Sequence, residues 1–143
     1  MESKAIQIDL GIKSYRLNDA AEICFNPTDA AFVGNLYSTF EELDKKQEEY
    51  KAEANRIELS EVFQLAKKRD AEMRGMIDTA LGEGVSDALF PGINVYALSN
   101  GLPLWANLLL AIIDEIDAET AREQGLTSAR VRKYSEKYKK YHK

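Results

Sequence analysis

The side chains able to do chemistry are few, and their spacing does not suit them for it. The single histidine, His142, is the penultimate residue, in a terminal stretch where order is least expected. Without a second histidine there is no imidazole acid–base pair, no HExxH metal helix and no Ser-His-Asp arrangement. Cys24 is the single cysteine. Flanked by Ile23 and Phe25, it reads as a small buried apolar side chain, with no neighbouring cation to favour a reactive thiolate. Asp114, Glu115, Asp117 and Glu119 form the densest acidic group, and Asp114 and Asp117, three apart, share one side of a helix. A carboxylate di-iron site needs Glu-x-x-His pairs, which the chain lacks, so these acids read as solvated or paired with bases. Gly82-Glu83-Gly84 has neither the lysine nor the spacing of a phosphate loop. The expectation is a non-enzymatic chain with no catalytic, cofactor-binding or metal-binding residue.

The remaining chemistry is that of charged surfaces. Residues 130–143 hold seven Lys or Arg against the single acid Glu136, a charge of +6, so the total of −5 leaves −11 on the first 129 residues. Val131, Tyr134, Tyr138 and Tyr141 recur at three, four and three, one stripe of a helix. Lysines with interleaved tyrosines could meet phosphates and stack on bases. Tyrosines confined to one stripe with Val131 fit protein packing better, either on the acidic body or on a partner.

Elements to position these groups follow from periodicity. Ile6, Ile8 and Leu10 alternate with polar residues, which predicts a strand over residues 5–10. Gly11 interrupts, and a hairpin turning near residues 11–13 into residues 12–17 is the simplest reading, with residues 22–25 as a possible third strand. Asn26-Pro27-Thr28-Asp29 stops the extended region, with Thr28 as the cap of a helix over residues 28–54. Phe32, Leu36, Phe40 and Leu43 give it a core face. Its second half, EELDKKQEEYKAE, offers Glu41–Lys45 and Glu42–Lys46 pairs and reads as a solvated, projecting end. Further helices are predicted over residues 59–81, 103–123 and 128–141, with breaks at Gly82 and Gly125. The stretch 101–117, GLPLWANLLLAIIDEID, is apolar on nearly every side in its first half and therefore the central buried helix. Its apolar run is too short for a bilayer span of about 20 residues.

Several blocks together resemble a known group of proteins: CFNPTDAAF from Cys24, AKKRDAEMR from Ala66, NVYALSNGLPLWANLLLAIIDEID from Asn94, and a tail with repeated Lys-Tyr pairs. They are similar to small proteins of the tail-gene modules of phages and prophages of Gram-positive bacteria, of the kind described as tail assembly chaperones. The resemblance implies a non-enzymatic chain that binds the tape measure protein in the bacterial host during tail assembly, with the tail tube protein left open as a second partner.

These readings converge on an α+β, predominantly α fold: a single helical domain over residues 1–143 with a small N-terminal β-hairpin. Residues 1–26 form the hairpin region, 27–125 the helical core and 126–143 a basic C-terminal helix. A start with Glu2 and alternating polar residues lacks the basic and apolar regions of a secretory signal, which places the chain in the cytoplasm. Partner contacts are assigned to Tyr37 and Phe40 on the first helix and to Arg130, Val131, Lys133, Tyr134, Lys137, Tyr138 and Tyr141 on the last. No membrane partner is expected. The alternatives are a nucleic-acid-binding accessory protein using the basic helix, which is less favoured, and a structural tail component; self-association is left open.

Overall fold

The structure, a computed structural model, describes residues 2–141. The fold is α+β and predominantly α. A hairpin of β1 (Lys13–Leu17) and β2 (Ala21–Phe25) precedes helices α1 (Ala30–Ala54), α2 (Leu59–Leu81) and the short α3 (Val85–Leu89). A two-residue ribbon, β3 (Leu98–Ser99) and β4 (Leu102–Pro103), leads into α4 (Leu104–Tyr141). No helix among the described residues is long and apolar enough to cross a membrane.

The hairpin differs from the expected one. The turn lies at Asn18 and Asp19, both with positive φ (51° and 55°), a backbone region that Asn and Asp tolerate better than most side chains. Ala20 N–H closes it by donating to the Leu17 carbonyl at 2.9 Å. Residues 22–25, expected as a third strand, form most of the second, and residues 5–10 form no strand. Gly11 explains the divergence. At φ +70°, a Cβ there would lie 2.7 Å from Asn26 Nδ2, and that same amide donates to the Leu10 carbonyl at 2.8 Å. The arm is thereby turned past the end of β2 instead of back along β1.

The antiparallel register pairs Tyr15 with Ile23 and Leu17 with Ala21, so these side chains face inward with Phe25. Tyr15, Phe25 and Phe32 stack in series, with ring centroids 4.8 and 4.3 Å apart. The same alternation turns Cys24 outward to solvent, correcting its expected burial: a strand's period of two cannot bury three successive side chains on one face.

Asp29, not Thr28, caps α1, its carboxylate accepting from Ala31 N–H at 3.0 Å. Thr28 instead bonds the Asn26 side chain. Leu36 and Leu43 of α1 meet Met73 and Ile77 of α2 and Trp105, Leu109, Ile112 and Ile116 of α4 in one core. The acidic end of α1 does not project as expected. Leu43 is fully buried, Gln47 accepts from Trp105 Nε1 at 2.8 Å, and Tyr50 stacks on Tyr96 at 4.7 Å. Its charges are used across the helix pair: Lys46 meets Glu72 at 2.6 Å, and Arg69 bridges Glu49, Glu53 and Glu72.

A second polar centre closes the other end of α2. Arg74 donates to Asp70 (2.9 Å), Asp87 (3.1 Å) and the carbonyls of Ser86 (3.2 Å), Phe90 (2.8 Å) and Ile93. Asp70 also accepts from Val95 N–H, and Asp78 from Ser86 N–H, both at 2.8 Å. This fixes the segment from Gly82 to Val95, which is otherwise poor in regular structure, and it seats Phe90 and Val95 in the core.

The largest correction concerns α4. No break occurs at Gly125; one helix runs from Leu104 to Tyr141. A helical glycine costs about 1 kcal/mol against alanine, too little to end a helix whose neighbours continue it. Thr127 and Ser128 support the passage by donating to the Glu123 and Gln124 carbonyls (2.9 and 3.2 Å). The basic segment thus extends the central helix in line, and a fold-back onto the body, which would need a turn near residue 125, is not made by the described residues.

Candidate functional site

Where α4 leaves the body, the N-terminal arm leaves beside it. Lys13, at the start of β1, forms an ion pair with Glu119. Arg122 holds the same carboxylate at 2.9 Å and reaches Glu123 at 3.4 Å. The hydrogen bonds from Lys13 and then Arg122 hold the Glu119 carboxyl below its ordinary range. A small cleft of about 160 Å³ separates the arm's base at Asp9 and Leu10 from Asn26, Pro27 and Glu123. A wider open groove of about 560 Å³ lies between Leu10 and Ile12 of the arm and Cys24, Phe25, Asp29 and Phe32.

Beyond this junction both elements stand in solvent. Ile6, Ile8, Leu10 and Ile12 are 81%, 75%, 68% and 60% exposed. The spacing of two places Ile6, Ile8 and Leu10 on one side of an extended chain, and Gly11, at φ +70°, turns the chain before Ile12. On α4, the stripe that buries Trp105, Leu109, Ile112 and Ile116 continues at spacings of three and four through Glu119, Glu123, Leu126, Arg130 and Lys133. The helix side that faces the core along the body therefore becomes, past it, an acidic and then basic surface with Leu126 at its centre. A shallow groove there is lined by Glu123, Leu126, Thr127, Arg130 and Lys133.

Compared with known proteins, this chain matches no family model, no curated protein and no solved structure. Its site is accordingly defined by its own geometry.

The residues assigned to partner contact from sequence fall in different settings. Arg130, Val131 and Lys133 are exposed on α4; Arg130 and Lys133 share the groove with Leu126, and Val131 does not line it. Tyr37 is 45% exposed on α1. Phe40 lies edge-on to Trp105, centroids 5.5 Å apart, and is half-buried against the core, so most of its ring is used inside the body. The side chains of Tyr134, Lys137, Tyr138 and Tyr141 lie outside the described residues, as does His142.

Among the described residues no three His, Cys, Asp or Glu are grouped to hold a metal ion. Of the acidic group on α4, Glu119 is paired with Lys13 and Arg122, while Asp114, Glu115 and Asp117 are exposed. Sequence reasoning missed the open apolar stripe of the arm because alternation alone does not say whether a sheet exists to receive a strand. The missing signal was a hairpin turn on the C-terminal side of Leu10; Asn18-Asp19 supplies one only for the next strand. It also missed the exposed pair Leu59 and Phe63 (72% and 70%), which lie one turn apart at the start of α2.

Proposed function

We propose that the chain is a non-enzymatic binding protein of the tail assembly chaperone kind, holding the phage tape measure protein in the host cytoplasm until tail tube subunits assemble on it. The identity of the client rests on the resemblance of the sequence blocks. The observation that carries a binding role is the junction at Glu119 and Glu123, where an apolar arm and a basic helix leave the body side by side. Four large aliphatic side chains, three of them on one stripe and all more than half exposed, are a surface that a protein with no partner would be expected to blunt with charge or cover. An amphipathic client helix with an apolar face and an acidic edge would meet the arm with the first and Arg130 and Lys133 with the second, a helix-in-groove contact.

Co-expression with the tape measure protein of the same tail module is the test. The expected result is a soluble client that co-purifies, with recovery reduced by Ile6→Ser and Ile8→Ser together. An insoluble client and no co-purification would overturn the reading. Binding instead to nucleic acid, falling steeply with salt and lost with Arg130→Glu and Lys133→Glu, would replace it with the accessory-protein alternative.

A further inference from the structure

The outer face of α4, turned away from the core-facing stripe and meeting its basic end at Lys133, changes sign along its length. At 100° per residue, Asp114, Glu115, Ala118, Ala121, Arg122, Gly125, Ala129, Arg132 and Lys133 fall within about 60° of one line. All are exposed. Asp114 and Glu115 lie at the N-terminal end of this face and Arg132 and Lys133 towards the C-terminal end, with Glu136 one turn beyond them. Arg122, between them, is already held by Glu119 and Glu123. Among the described residues, no ion pair joins Asp114, Glu115, Arg132 or Lys133 to any other group.

The two charged ends cannot satisfy each other within one chain. Eighteen residues of straight helix separate Asp114 from Arg132, about 27 Å at 1.5 Å per residue, more than three Debye lengths at physiological salt, about 8 Å each. A second α4 laid antiparallel brings them into contact. With a two-fold axis beside residue 123, Asp114 and Glu115 of each copy face Arg132 and Lys133 of the other, and Ala121 faces Gly125. Apart from Arg122, which is turned to Glu119 and Glu123, the side chains between the charged ends are short, so the helix axes can approach closely, at the near end of the usual 8–10 Å range. One self-complementary surface used twice is the requirement for a closed two-fold pair.

We propose that two copies of this chain associate antiparallel through the outer face of α4, centred on residue 123. The occupant of this face is a second copy, selected by charge: an acidic half meeting a basic half on both sides of the axis. The arm, Leu126 and Arg130 lie outside this face, while the groove shares Ala129 and Lys133 with it, so pairing narrows the groove and leaves the arm open.

Sedimentation equilibrium on the full chain tests this with two charge-reversed variants. One carries Asp114→Lys and Glu115→Lys; the other carries Arg132→Glu and Lys133→Glu. The wild type should be a dimer that loosens with added salt. Each variant alone places like charges at both contacts, and its dissociation constant should rise at least tenfold, about 1.4 kcal/mol. Mixed in equal amounts, the two variants should form a heterodimer, because each supplies the sign the other lacks. All four positions are exposed, and unchanged helical circular dichroism of each variant confirms folding. A wild type that is monomeric throughout overturns the proposal. So does a dimer indifferent to both reversals, or a mixture that fails to recover association.

Discussion

Arg74 and Arg130 both sit on long helices, yet the chain treats them in opposite ways. Arg74 is enclosed: its guanidinium meets two carboxylates and three backbone carbonyls contributed by α2, α3 and the segment following α3. Arg130 stands in solvent on an extension with no carboxylate within ion-pair distance among the described residues. The first arginine organises backbone that has little regular structure of its own. The second is one of several charges repeated along an open face. Buried polar networks of the first kind specify one conformation; open charges of the second kind contribute little to stability and more to the choice and rate of association.

Replacing Arg74 should break this comparison most sharply. Arg74→Ala leaves the mostly buried Asp70 without its cation and the Phe90 and Ile93 carbonyls without a donor among the described residues, a loss of about 2–3 kcal/mol after allowing for partial exposure. Arg74→Lys should recover only part of it, because one ammonium cannot reproduce a planar fork of donors. The loss reads as a lower midpoint in urea with faster amide exchange between Ser86 and Val95. A loss below about 0.5 kcal/mol, the level of an ordinary surface substitution, would show that the segment is held by Phe90 and Val95 alone.

The same contrast explains how much could be read without coordinates. Helix α2 was legible to the residue at both ends, since Gly82 stops it and an apolar face runs through Val62, Met73 and Ile77. The buried first half of α4 was legible because apolar residues surround it. Local patterns failed where distant groups decide. Glu42–Lys46 looked like a surface pair, but Lys46, Glu49 and Glu53 are engaged by Arg69 and Glu72 from another helix. Gly125 looked like a stop, but a penalty of about 1 kcal/mol is outweighed by the helix on both sides. The hairpin moved because Gly11 is fitted to Asn26, fifteen residues away, a contact that no periodicity announces. For the candidate site, the exposure of Arg130, Val131 and Lys133 on α4 was legible from charge and stripe, but not that Val131 lies outside the groove; the arm was visible as a strand but not as one without a sheet.

A smaller effect is expected at Tyr96, which belongs to the enclosed side of the comparison yet is imperfectly served by it. Its hydroxyl is buried without a hydrogen-bond partner among the described residues while its ring stacks on Tyr50. Burial is the main cause that raises its pKa from 10.0 to about 12. Between those values the unfolded chain loses the phenol proton while the folded chain keeps it, so the folded state binds more protons and stability falls as pH rises. Tyr96→Phe should flatten this alkaline slope and, by removing an unsatisfied polar atom, raise stability at neutral pH by up to about 1 kcal/mol. A variant less stable than wild type, with the slope unchanged, would mean that the hydroxyl has a partner in solution.

The smallest effect on stability is expected from the arm, and its smallness is informative. Ile6→Ser with Ile8→Ser removes two large aliphatic side chains, a change worth several kcal/mol in a core. Here both stand about four-fifths or three-quarters in solvent, so folding withdraws little of their surface from water and the midpoint in urea should move by less than about 0.5 kcal/mol. The arm's anchor lies further along, in the Asn26 side chain that holds the Leu10 carbonyl and packs against Gly11, and it is untouched by the change. Capture of a client by the arm requires this separation: the double variant must keep the fold while losing retention. A loss of 1 kcal/mol or more in the isolated chain would show that the stripe is covered by its own body, and would move the binding role from the arm to the face of α4 that carries Leu126, Arg130 and Lys133.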